Sequence, residues 1–100
     1  MTGYEKALPA LKALCDETRL SILSMLSGGE KCACRIQDAF ECSQPTISYH
    51  MRVLVESGLV TARREGALIY YTLDEKAWPC AQTFLNSLST LNAGEEESCS

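Results

Sequence analysis

The sequence predicts a mainly α-helical fold carrying one β-hairpin (α+β), in the order helix-helix-helix-helix-β-β-helix. Three observations predict it. Apolar residues recur at helical spacing in successive stretches up to Gly58. The period then drops from about 3.6 to about 2 on both sides of Glu65-Gly66-Ala67. Helical spacing returns between Ala77 and Leu91. One hundred residues make one domain, placed at 1–92, with a polar, acidic tail at 93–100 that is expected to be disordered.

The elements follow in order. Ala7, Leu8, Leu11 and Leu14 form one stripe over residues 4–14, with Pro9 in the first turns, where a missing N–H is best tolerated. Asp16 caps a second helix that is apolar on most sides (Leu20, Ile22, Leu23, Met25, Leu26), hence central, and Gly28-Gly29 ends it. A third helix over about Cys32–Phe40 turns Ile36, Ala39 and Phe40 inward. Ser43 caps the fourth, Pro45 suits its first turn, and it runs to about Ser57 burying Ile47, Met51, Leu54 and Val55. Leu59–Arg64 and Leu68–Leu73 pair as a hairpin. Asp74 caps a last helix, which Pro79 delays to near Trp78. This is the element order of a winged helix-turn-helix.

Charge neither favours nor opposes a nucleic-acid partner. The net charge of −4 comes from residues 74–100, where Asp74, Glu75, Glu95, Glu96 and Glu97 face only Lys76. Residues 30–65 hold five acids and five bases, among them Arg35, Arg52, Arg63 and Arg64, enough for a local phosphate-contacting patch. No apolar run approaches the roughly 20 residues of a membrane span. The start lacks the pattern of a signal peptide. A cytoplasmic protein with no membrane partner is expected, and its six cysteines then read as thiols, metal ligands or core filler rather than staples.

A helix that enters the major groove needs an apolar inner face and an outer face of donors and acceptors. In the fourth helix Ile47 and Met51 point inward, leaving Ser43, Gln44, Thr46, Ser48, Tyr49, His50 and Arg52 outward or sideways. Gln44 and Arg52 suit bidentate base contacts, and the hydroxyls suit phosphates. Arg63 and Arg64 on the hairpin extend this DNA-binding set. His50 is equally suited to bridging helices.

Cys32 and Cys34 follow Gly28-Gly29 near a helix start, where thiolates are favoured and Lys31 and Arg35 add positive charge. Two such sulfurs select soft or thiophilic ions over calcium or magnesium. As a mutual disulfide they are expected to be poor, because side chains two apart on a helix diverge. Cys42 is too far along the chain to join them and reads as a small buried turn residue. Cys15 reads as core filler, Cys80 as a last-helix residue that is buried or pairs with its symmetry mate, and Cys99 as an idle tail thiol.

With LKALCDETRLSIL, CAC, SQPTISYHMRVLVESGLV and REGALIYYTL in this order, residues 5–73 resemble the ArsR/SmtB family of bacterial metal-responsive repressors. The resemblance implies a homodimer joined by the first and last helices, here through Leu8, Leu11, Phe84, Leu85 and Leu88. It implies a protein that binds double-stranded operator DNA and releases it on binding an inducer, and so no enzyme. In the arsenic-responsive branch a third cysteine follows C-x-C three residues on; here that place is Gln37. Metal ligands Cys32 and Cys34 and the inducer arsenite or antimonite are thus implied, with the third ligand open and no organic cofactor. Zinc sensing on the last helices would need His–carboxylate pairs, and the only histidine is His50. The alternatives are a cadmium or lead signal, thiol oxidation or persulfide, a protein–protein adaptor, and a small thiol reductase, for which no nucleophile–base pair is visible.

Overall fold

A computed structural model describes residues 3–92. The acidic stretch 93–100, with Cys99, lies outside the described residues, as do the side chains of Ala77, Cys80 and 89–92. The described elements are α1 (Gly3–Ala13), α2 (Glu17–Leu26), β1 (Lys31–Cys32), α3 (Ala33–Asp38), α4 (Gln44–Glu56), β2 (Val60–Glu65), β3 (Leu68–Leu73) and α5 (Ala77–Asn92). The α+β winged helix-turn-helix order is borne out, with one addition. The sheet has three antiparallel strands in the order β1-β3-β2.

Capping decides where the helices begin. Asp16, extended at φ −160°, accepts the backbone N–H of Arg19 at 3.0 Å and starts α2. That bond, more than the charge of the nearby Arg19, holds its carboxyl below the usual carboxylate range. A depressed folded-state value stabilises the fold above the unfolded value of ~3.9 and is lost as pH falls through the folded one. Asp16→Ala should therefore cost about 1 kcal/mol at neutral pH. Urea midpoints measured against pH should show the deficit narrowing in acid; a pH-independent deficit would exclude the cap as its cause.

Ser43 plays the same part for α4, accepting the N–H of Thr46 at 3.4 Å, with Pro45 in the opening turn. Cys32 caps α3: its backbone is extended (φ −78°, ψ 158°) and its sulfur accepts the N–H of Arg35. The helix predicted over Cys32–Phe40 is thus shorter, because Cys32 belongs to a strand and the chain turns after Asp38. Asp74 does not cap α5. Its carboxylate accepts the N–H of Lys76 in a turn, and α5 begins at Ala77 with Pro79 still in the first turn.

The core sits where α1, α2, α3, α4 and the sheet meet, with Ile22, Ile36, Leu54, Leu59 and Val60 the large side chains most completely enclosed. Three inward expectations change. Leu20 is exposed, Ala39 is exposed, and Val55 is only partly buried against the core. In α1 the buried line is Ala7, Ala10 and Ala13, small residues that let α1 lie close to its neighbours, while Leu8 faces out. On α5, Ala81 is buried, Trp78 and Phe84 pack partly against the core, and Leu85 and Leu88 remain exposed. α1 and α5 pack on each other, so Leu8, Leu85 and Leu88 leave apolar surface on one helical pair.

Candidate nucleic-acid interface and thiol site

α4 separates its side chains by face. Ile47, Met51 and Leu54 are buried, and Ser43, Gln44, Thr46, Ser48, Tyr49 and Arg52 are exposed. Within the exposed set, the Ser43 hydroxyl donates to Thr46 Oγ1 at 3.0 Å, and the Arg52 guanidinium lies 5.7 Å from the centre of the Tyr49 ring. Both contacts pre-arrange groups of the kinds that meet phosphates and base edges. Gln44 and Ser48 open onto the groove toward the hairpin.

His50 is the exception among the residues assigned to this face. It is only 9% exposed, and its Nδ1 lies 3.2 Å from Nη1 of Arg19. An arginine can only donate, so Nδ1 accepts. Arg19 also donates from Nε to the carbonyl of Ala13 at 2.8 Å. His50 thus ties α4 to α2 and the end of α1. It positions α4 and does not belong to its exposed surface.

The hairpin arginines also part company, because successive strand residues face opposite ways. Arg64 lines a groove with Ser48, Arg52 and Tyr71, between α4 and the hairpin, so two guanidinium-bearing residues border one cleft. Burial pushes the Tyr71 phenol above its ordinary value, against the pull of Arg64, which keeps it a neutral hydroxyl. Arg63 faces the other way. It holds Glu30 with two N–H groups, Nη2 at 2.9 Å and Nε at 3.3 Å, reaches Glu65 at 3.3 Å, and lies 4.7 Å from the Tyr70 ring centre. Glu30 also accepts from the Thr72 hydroxyl. The Arg63 hydrogen bond holds the Glu30 carboxyl below its usual value, and the same pair raises Arg63.

The two thiols stand where these pieces meet. Cys32 pairs with Tyr70, which pairs with Arg63, so one cross-strand row runs from Cys32 to the hairpin arginine. Cys34, in the first turn of α3, borders the groove between α3, α4 and the hairpin. The sulfurs of Cys32 and Cys34 are joined, with Cα atoms 5.4 Å apart. That separation lies within the range of about 4.4–6.8 Å over which cysteines bridge. The expectation that they diverge fails because Cys32 lies on an extended strand end and only Cys34 is helical. Among the described residues no three His, Cys, Asp or Glu side chains gather as a metal cluster. Gln37 donates from Nε2 to the carbonyl of Cys42 at 2.7 Å, tying α3 to the turn before α4. Cys42 is half-buried, and Cys15 is exposed rather than core filler, with its sulfur donating to the carbonyl of Leu11.

Strand β1 and the Glu30–Arg63 pair are the parts of this site that the sequence did not reveal. Two residues carry no periodicity, and partners 33 positions apart leave no local signal.

A helix-turn-helix with an exposed polar second helix and an adjoining β-wing defines a winged helix-turn-helix transcriptional regulator. Residues 16–62 match the bacterial regulatory proteins of the arsR family. Over 90 residues the chain is 42% identical to an arsenical resistance operon repressor of Staphylococcus aureus, spanning 90% of this chain and 86% of that protein. The chain belongs to the ArsR family, whose members are regulators and not enzymes. A crystal structure of a possible transcriptional regulator for arsenical resistance superposes with a TM-score of 0.72 at 33% identity, covering 87% of this chain and 96% of that one. The homodimeric winged helix-turn-helix domain of a possible ArsR-family regulator from Mycobacterium bovis superposes at 0.69 with 29% identity, covering 95% and 90%. No helix of the described residues is long and apolar enough to cross a membrane.

Proposed function

We propose that this chain is a metalloid-responsive repressor that binds operator DNA as a homodimer and releases it when trivalent arsenic or antimony is held by Cys32 and Cys34. The observation that carries the reading is the shared position of the two thiols. Cys32 is in register with the wing through Tyr70, and Cys34 lies on the helix packed against α4. The donor set fits a thiophilic ion: two soft sulfurs stand side by side on a solvent-accessible edge.

Each residue then has a part. Ser43, Gln44, Thr46, Ser48, Tyr49 and Arg52 face the major groove, and Arg64 meets the backbone from the wing. Two copies would set their α4 helices about one turn of DNA apart, roughly 34–36 Å. Bound metalloid supplies a link between the two sulfurs. Once a cellular thiol has reduced them, Cys32 and Cys34 would hold it, and drawing both sulfurs onto one ion would shift the β1 end of the sheet and the start of α3 together. The wing and α4 then no longer meet DNA in one register.

Two measurements test the DNA reading. Operator affinity should fall steeply with salt. Arg64→Ala should reduce the slope of log affinity against log salt by about one per protomer, as loss of a phosphate contact does. Arg63→Ala should change it less, because Glu30 and Glu65 already hold that guanidinium. Equal effects at both positions would remove the division of the wing into two faces. Titration of the complex with arsenite, antimonite, cadmium and zinc identifies the signal, with release expected for the first two.

One observation favours a second reading, a redox signal: Cys32 and Cys34 are placed to bridge. It predicts that oxidant alone, without metalloid, releases the operator.

A further inference from the structure

A trivalent metalloid makes three bonds, and among the described residues only two sulfurs, those of Cys32 and Cys34, stand together. Gln37, three residues past Cys34, is committed to the carbonyl of Cys42. No other His, Cys, Asp or Glu completes a cluster of three among the described residues. Beside Cys34, however, the surface is hollow. A groove of about 460 Å³ runs between α3, α4 and the wing turn, lined by Cys34, Asp38, Gln44, Ser48, Leu68 and Tyr71 among others. That volume lies within the range of roughly 300–1,000 Å³ typical of small-molecule sites. Its lining mixes an apolar side with a carboxylate, amide and hydroxyl groups.

We propose that this groove binds a small aminothiol, of free cysteine to tripeptide size, whose sulfur is the third ligand of the metalloid held by Cys32 and Cys34. The inference deepens the metalloid reading above and rests on it. Asp38 faces the ammonium group of such a thiol, and Gln44, Ser48 and the neutral Tyr71 hydroxyl face its carboxylate and amide groups. The thiol has two chemical tasks. Two molecules first reduce the Cys32–Cys34 bond, supplying two electrons and two protons and leaving as their own disulfide. A third then joins the two freed cysteines on arsenious acid. Three S–As bonds form, three As–O bonds break, each thiol proton leaves with a hydroxide as water, and arsenic stays trivalent. Because Gln44 and Ser48 belong to the exposed reading face, an occupant here also stands where DNA would lie.

The test is native mass spectrometry of the reduced full chain with arsenite, with and without excess glutathione or free cysteine. The expected result is one arsenic plus one small thiol per chain, the mass shift differing between the two thiols by their own difference. Gln37→Cys, which supplies an internal sulfur, should bind arsenic and take up no small thiol. Wild type carrying arsenic but never a thiol would overturn the inference while leaving the metalloid reading intact. Absence of arsenic on Cys32 and Cys34 would overturn both.

Discussion

Replacing Cys32 and Cys34 together by serine is expected to leave operator binding within a few-fold of wild type and to abolish its response to arsenite. The first half follows from position. Cys34 is exposed and Cys32 only partly buried, so no core volume is lost. At Cys32 a serine oxygen can accept the Arg35 N–H that the sulfur now accepts, and serine is a preferred N-cap residue, so α3 should persist. The second half follows from ligand chemistry, since a hydroxyl is not the soft donor a thiophilic ion requires. In wild type the inducer should weaken operator binding by a factor typical of allosteric coupling, about 5–150-fold. In the double variant the factor should be near one. Gel-shift or anisotropy titrations under reducing conditions read both quantities, and a double variant that still responds to arsenite would move the sensor elsewhere in the chain.

Leu85→Glu combined with Leu88→Glu is expected to give a folded monomer whose operator affinity is lower by roughly 10²–10⁴-fold, the advantage that linking two binding modules confers. Leu85 and Leu88 are 50% and 44% exposed in the protomer, and Leu8 on the adjoining α1 is 38% exposed. Charges at 85 and 88 therefore cost the isolated fold little, whereas burying them against a second copy without partners is costly. Sedimentation and operator titration on the same sample check the pair of outcomes. A variant that stays dimeric would remove α1 and α5 from the interface, and a monomer with undiminished affinity would remove the need for two copies.

What the sequence showed and hid follows from the range of each interaction. The start of α4 was legible because Ser43 and Pro45 act on their own helix, and Gly28-Gly29 marked the end of α2 in the same local way. The polar face of α4 was legible from its periodicity, apart from His50. Its burial depends on Arg19, 31 positions earlier, which no spacing rule connects to it. Arg63 and Arg64 looked alike as neighbours in sequence. Alternation along β2 already implies opposite faces, but that Arg63 faces a carboxylate at Glu30 is a fact of the folded sheet. The thiol pair was found from its spacing, while its geometry was misjudged because β1, only two residues long, left no pattern of its own. Gln37 was recognised as the place where a third cysteine is missing. Its tie to Cys42 shows what that side chain does instead.

Coupling between the thiol pair and α4 is reciprocal if it exists at all. The direct measurement is the affinity of the reduced protein for arsenite, free and in saturating operator DNA, set beside the affinity for operator with and without saturating arsenite. Both pairs should differ by the same factor, and this factor should collapse to one in the Cys32→Ser/Cys34→Ser protein. Operator affinity unchanged at saturating arsenite, with both thiols reduced and loaded, would contradict that coupling.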